Sequence, residues 1–160
     1  MKILQKIMMP MVLLALAACA GPATDAATGR AIWVVDGDTI NLQKPDKTWQ
    51  VVRLYGIDAP EKDQAYGPEA TRELIALTGR KRVRVEPVET DRYGRTVARV
   101  YCGDIYVNAE MARRGAAWWY KKYAPGDRTI ADAEAEAQNA LAGLWAADNP
   151  APPWEWRRGH

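Results

Sequence analysis

Apolar and polar positions alternate through the first half of the chain, from Arg30 onward, with the two-residue period of half-buried strands. Residues 30–35 are rich in β-favouring types, Asp36-Gly37 is a hairpin-type turn pair, and residues 39–43 continue extended. After a second turn at Pro45-Asp46-Lys47, residues 48–55 alternate again. Val52 and Leu54 share one face there, while Val51, Arg53 and Tyr55 share the other. Residues 81–88 set Val83, Val85 and Pro87 against Arg82, Arg84 and Glu86. Beyond a turn at residues 91–95, a fifth strand runs over 97–101.

Elsewhere the spacing is helical. Gly67-Pro68-Glu69 opens a helix, Leu74 and Leu77 give it a core face, and Gly79 stands just past its end. A short helix over 107–114 stops at Gly115. An aromatic loop follows, with Trp118, Trp119, Tyr120 and Tyr123. The last helix spans 128–142, with Ile130, Ala133, Ala137 and Leu141 on one stripe and Gly143 at its end. A proline-rich exit leads to Trp154-Glu155-Trp156-Arg157-Arg158, a tail whose aromatic rings are expected to dock on the body. This order predicts a β-barrel with helices, α+β in class: a five-stranded OB-fold barrel packed with about three α-helices. The domain spans residues 30–147, and the Pro/Trp-rich tail spans 148–160.

Residues 1–20 obey a different rule. Lys2 and Lys6 precede an apolar stretch over 7–18, too short to cross a bilayer core of about 30 Å. It reads as a secretion signal. The stretch ends in Leu16-Ala17-Ala18-Cys19, the pattern of a bacterial lipobox, in which the cysteine becomes the acylated first residue. An ordinary signal peptide cut beside the same small residues is the alternative. Residues 21–29 then form a tether. An exported envelope protein results, lipid-anchored through Cys19 rather than membrane-spanning, or else secreted and soluble.

Lys2 and Lys6 carry the whole of the +2 formal charge, which leaves the remainder neutral. Nucleic-acid binding therefore depends on where charges sit, not on a basic excess. Cys102 has no partner once Cys19 is acylated or removed, so no internal disulfide is expected. The one histidine is His160, the last residue. Ser-His-Asp hydrolysis, histidine proton shuttles and His-rich zinc sites are excluded. What remains is chemistry by carboxylates, guanidiniums, hydroxyls and a metal.

Those groups cluster in three segments: Asp36-Gly37-Asp38-Thr39, then Arg53 with Asp58-Ala59-Pro60-Glu61, then Asp91-Arg92-Tyr93-Gly94-Arg95. Each segment has a plain structural role open to it. Asp-Gly serves hairpin turns, Asp and Glu three apart resemble a helix-capping pair, and Tyr-Gly-Arg suits a hairpin tip. Taken together they fit one chemistry. Two aspartates and a main-chain carbonyl offer all-oxygen ligation for a hard cation. Two arginines fork onto a phosphate, and Glu61 is left to act on water.

These motifs, with Arg53-Leu54-Tyr55-Gly56-Ile57-Asp58-Ala59-Pro60-Glu61 unbroken and Tyr66-Gly67-Pro68-Glu69-Ala70 following, resemble the staphylococcal nuclease family from about Ile32 to Trp145. The resemblance implies an OB-fold barrel and Ca²⁺-dependent hydrolysis of DNA and RNA that leaves 3′-phosphate ends, with little sequence preference. It implies Asp38, Asp58 and the Ala59 carbonyl as metal ligands, with Asp36 nearby through water. Arg53 and Arg95 match the phosphate-binding arginines, and Glu61 the general base. Tyr93 is the expected substrate contact. Base stacking falls to Tyr123 or Trp119, because Lys121 stands where the best-known secreted member has its stacking tyrosine. The stretch from Glu61 to Tyr66 is also shorter than that member's long loop. A monomer without a protein partner is expected. The alternative is a non-catalytic OB-fold lipoprotein that only holds nucleic acid.

Overall fold

The computed structural model describes residues 27–160. The leader and Cys19 lie outside them, as does most of the tether. Strand β1 (Ala27–Asp36) begins within the segment read as tether and turns back at Gly37 into β2 (Thr39–Gln43). β3 (Trp49–Leu54) returns antiparallel with Thr39 opposite Arg53. After the two-residue β4 (Ile57–Asp58) comes α1 (Gly67–Thr78), then the long hairpin of β5 (Arg82–Thr90) and β6 (Thr96–Cys102). A short β7 (Ile105–Tyr106) leads into α2 (Val107–Arg113). β8 (Trp118–Trp119) pairs with β4, and α3 (Arg128–Asn139) follows. The tail forms α4 (Pro153–Gly159), a helix that the sequence reading left as docking aromatics.

The strands are ordered β3-β2-β1-β5-β6-β7, and a parallel pairing of β3 with β6 joins the ends. That closure makes the expected barrel of β1, β2, β3, β5 and β6, with no open edge along the seam. Inside it lie Ile40, Leu42, Val52, Leu54, Val83, Val85, Ala98 and Val100, all essentially without solvent contact. Val52 with Leu54, and Val83 with Val85, are pairs that the alternation sets on one face of their strands. Leu74 and Leu77 of α1, Met111 of α2 and Ile130 of α3 extend the same core.

Two expectations fail for local reasons. Pro87 was assigned to the inner face with Val83 and Val85, yet it is exposed. A bulge between Pro87 and Glu89 shifts the β5–β6 register there, as a proline that cannot donate to the ladder favours. Leu141 was placed on the buried stripe of the last helix. The helix stops at Asn139, Leu141 takes a left-handed φ of 50°, and its side chain is 67% exposed. The chain turns there so that the Leu144 N–H reaches the Gly115 carbonyl at 2.9 Å, and Leu144 is buried instead.

A buried side chain reinforces the seam where the two strands part. Asn108, at the start of α2, accepts from the Val100 N–H at 2.9 Å. It donates through Nδ2 to the Tyr55 carbonyl at 2.8 Å and the Ala98 carbonyl at 3.1 Å. A helix residue thus satisfies main-chain groups of both strands where they part.

Candidate active site

The closed seam puts Arg53 between two turns. Pairing of β3 with β6 sets Arg53 opposite Val97, two residues from Arg95 at the tip of the β5–β6 hairpin. Pairing with β2 sets Arg53 beside Asp38. Glycine permits the close approach on the other side. A Cβ on Gly37 would lie 2.6 Å from the Ala59 Cβ and 2.8 Å from that of Ala70, so the β1–β2 turn seats directly against the Asp58-Ala59 segment.

Arg53 Nη1 lies 2.5 Å from Asp38 Oδ2, and Nη2 lies 2.9 Å from Asp58 Oδ1. Both carboxylates are buried. Asp38 also accepts from the Ala59 N–H at 2.9 Å and from the Thr39 hydroxyl at 3.0 Å. Burial pulls the Arg53 pKa down, but the charges of Asp38 and Asp58 outweigh it and the net direction is upward. Burial raises that of Asp58 despite its guanidinium partners. Nη1 of Arg53 is buried against Asp38, so the guanidinium must give up part of this pairing to reach an incoming oxyanion.

Asp36 accepts from the Asp38 N–H at 3.1 Å. Burial first, and then the Asp38 charge, push its pKa from 3.8 up to about 6. A carboxyl whose folded pKa exceeds its unfolded one binds more protons when folded, so its contribution to stability falls as pH rises from about 4 to 6. Asp36→Asn is therefore expected to stabilise the metal-free protein at pH 7.5 by about 1–3 kcal/mol. The gain should vanish near pH 4. Urea titrations at the two pH values check this, and an equal effect at both would refute it.

Of the residues singled out by sequence, Asp36, Asp38, Arg53, Asp58, Ala59, Glu61, Tyr93, Arg95 and Tyr123 line one cavity of about 660 Å³, and Trp119 does not. They are not equally poised. Arg95 folds back into its own turn, its Nε 2.7 Å from Asp91 Oδ2. Tyr93 is exposed, with the Arg92 and Arg95 guanidiniums 4.8 and 5.5 Å from its ring centre. Of the two stacking candidates, Trp119 is committed to the fold: its main-chain N–H donates to Glu134 and its Nε1–H to the Ala124 carbonyl. Tyr123 is exposed, edge-on to Tyr120 at 4.7 Å.

Three contributors escaped sequence reasoning. Arg157 of α4 enters the cavity and pairs with Glu61 and Asp58. Gln64 closes the short segment after Glu61, accepting from the Glu61 N–H at 3.1 Å. A Cβ on Gly67 would lie 1.8 Å from the Glu61 carbonyl oxygen, so α1 begins in contact with that segment. Only the arginine pair after Trp156 hinted at a charged role for the tail, and nothing in its spacing named a target.

The residues fit a hard cation. Asp38 and Asp58 present oxygen donors from separate turns, both gathered on one positive group, and no nitrogen or sulfur ligand accompanies them. Among the described residues, no three His, Cys, Asp or Glu side chains cluster as a full ligand set. Main-chain and water oxygens would have to complete the coordination, as is usual for Ca²⁺.

The family model for staphylococcal nuclease homologues matches residues 51–147. The chain is 40% identical over 147 residues to a protein named micrococcal nuclease from Shigella flexneri, covering 86% of this chain and 84% of that one. It is 40% identical over 155 residues to an uncharacterized endonuclease of Haemophilus influenzae, covering 96% of this chain and 86% of the relative. A probable staphylococcal-like nuclease of Oryza sativa subsp. japonica is 43% identical over 107 residues, which is 67% of this chain and 32% of the plant protein.

Proposed function

The chain belongs to the staphylococcal nuclease family and is a nuclease, and we propose that it hydrolyses DNA and RNA phosphodiesters with the help of Ca²⁺. The observation that supports this best is the meeting of Asp38 and Asp58 on Arg53, in the cavity that also holds Glu61 and Arg95. Asp38, Asp58 and the Ala59 carbonyl would hold the ion. Bound there, it supplies positive charge beside the scissile phosphate and weakens the barrier to attack.

The protein's own groups do the rest. Arg53 turns from its carboxylate partners to a phosphate oxygen, and Arg95 swings from Asp91 to another. Together they stabilise the charge that grows on the equatorial oxygens as water attacks phosphorus. Glu61 takes a proton from that water. The bond from phosphorus to the 5′ oxygen breaks, the 5′ oxygen gains a proton, and a 3′-phosphate end remains. Tyr93 and Tyr123, exposed at the rim, face the sugar and base.

A second cavity of about 540 Å³ supports a polymeric substrate. It shares Tyr55 with the first and adds Arg99, Tyr101 and Tyr106. The Arg99 guanidinium lies 4.8 Å from the Tyr55 ring centre, and Tyr101 stacks on Tyr106 at 5.1 Å. Contacts of this kind grip phosphate and rings without reading sequence. The leader and Cys19 add an exported, lipid-anchored location to the proposal, with a secreted soluble form as the alternative. We take the working unit to be a monomer.

Incubation with plasmid, single-stranded DNA or RNA, in Ca²⁺ or in chelator, tests the proposal. Substrate loss should require the cation, with half-maximal activation on the order of 10⁻⁴–10⁻³ M. Cleavage indifferent to chelation would remove the cation from the scheme. A salt-sensitive gel shift without substrate loss would select the non-catalytic binder.

A further inference from the structure

The C-terminal helix places a third guanidinium on the acids to which the proposed function assigns work. Arg157 Nη2 lies 2.7 Å from Asp58 Oδ2, and Nη1 lies 2.6 Å from Glu61 Oε1 and 3.3 Å from Asp58 Oδ1. The arm is not loose. Trp154 stacks on Tyr120 with ring centres 5.1 Å apart and planes 8° from parallel, and it meets Trp118 edge-on at 5.8 Å. Gln64 Nε2–H donates to the Ala151 carbonyl at 2.7 Å, and Pro153 is buried. These contacts fix the start of α4, so the next turn delivers Arg157 to the cavity.

The consequence follows from counting acceptors. Asp58 Oδ1 receives Arg53 and Arg157, and Oδ2 receives Arg157. Oδ1 is filled and Oδ2 keeps a single lone pair, so a cation at Asp58 would have to share the carboxylate with two guanidiniums. Glu61 spends its Oε1 on the same guanidinium, so that oxygen is taken up before any water can use it. A divalent ion at Asp58 would also lie close to a like charge. Arg157 and the ion call on the same oxygens and repel each other.

We infer that Arg157 is a residue of the catalytic centre that competes with the divalent cation, and that α4 is a latch holding the centre shut until cation and phosphate displace it. Release returns Asp58 to the cation and Glu61 to the water. This rests on the reading of Asp58 as a ligand and Glu61 as the base.

Calorimetric titration of the folded protein with Ca²⁺ alone tests it without any cleavage assay. Arg157→Ala should bind Ca²⁺ about tenfold more tightly, the factor expected if the latch is shut in roughly nine molecules of ten. Trp154→Ala, which loosens the docking and touches no acid, should move affinity the same way by a smaller factor. Arg157→Lys keeps the charge without the fork and should fall between wild type and alanine. In wild type, Ca²⁺ should also speed tryptic cleavage after Arg157, and Asp58→Asn should abolish that acceleration. Unchanged or weaker Ca²⁺ binding by Arg157→Ala would overturn the latch while leaving the cation site standing. Absence of Ca²⁺ binding by every form would overturn the cation reading, and the latch with it.

Discussion

Replacing Arg53 by alanine is expected to lower turnover on DNA by about 10²–10³-fold or more, the scale seen when one donor to a developing oxyanion is lost. The same change should destabilise the metal-free fold by about 3–5 kcal/mol, because it removes one partner of a buried ionic group. Both effects come from one geometry. Among the described residues, Arg53 is the only contact within ion-pair distance for Asp38, and it shares Asp58 with Arg157. Without it, Asp36 and Asp38 face each other in a buried turn, and one must take up a proton. The stability loss should therefore be larger at pH 7.5 than at pH 5, and added Ca²⁺ should recover part of it. Arg53→Lys keeps a charge but not the fork, so it should restore more stability than turnover. Steady-state rates and urea midpoints on the three proteins separate these outcomes. Near-normal turnover with an unchanged midpoint would dismiss the role given to Arg53.

Asn108→Ala is the second large effect, and it belongs to stability alone. The side chain serves one main-chain N–H and two carbonyls in the interior, and alanine serves none. The Ala98 carbonyl keeps the Tyr55 N–H, so two groups, the Val100 N–H and the Tyr55 carbonyl, are left unpaired; at about 1–3 kcal/mol for each, a loss of roughly 3–5 kcal/mol is expected. That corresponds to a fall in Tm of about 10–15 °C for a domain of this size. Asn108→Asp keeps the acceptor but loses both donations, so it should not rescue the fold. Below the transition, kcat per folded molecule should stay within about twofold of wild type, since Asn108 does not line the cavity. Thermal melts followed by assays at low temperature check both statements. A variant that melts normally would show that the seam does not depend on this side chain.

The barrel was legible because a strand with one buried face writes its register into alternate positions. Val83 and Val85 obey that rule, and Pro87 breaks it only where a bulge adds a residue. The last helix was legible up to the point where tertiary contacts took over. Gly143 seats against the Arg114 and Gly115 carbonyls, where a Cβ would lie 2.4 Å from each, and this seat pulls Leu144 inward in place of Leu141. The site residues could be named because each sits at or beside a turn with a chemical reason to be there. That they face one another depends on the parallel β3–β6 pairing, which leaves no local pattern. Arg157 was invisible for the same reason: it reaches Asp58 across 99 positions of chain, through a helix seven residues long.

The seam has one more implication. Asp38, Arg53 and Arg95 come from three separate loops or strands, and it takes the pairing of β3 with both β2 and β6 to bring them to one cavity. Cutting ability and native structure are therefore acquired together and lost together. A molecule threaded through a narrow channel as an extended polypeptide would carry every reactive group and yet be harmless to the nucleic acids it passes. Exported as proposed, it would gain its toxicity only after refolding on the far side.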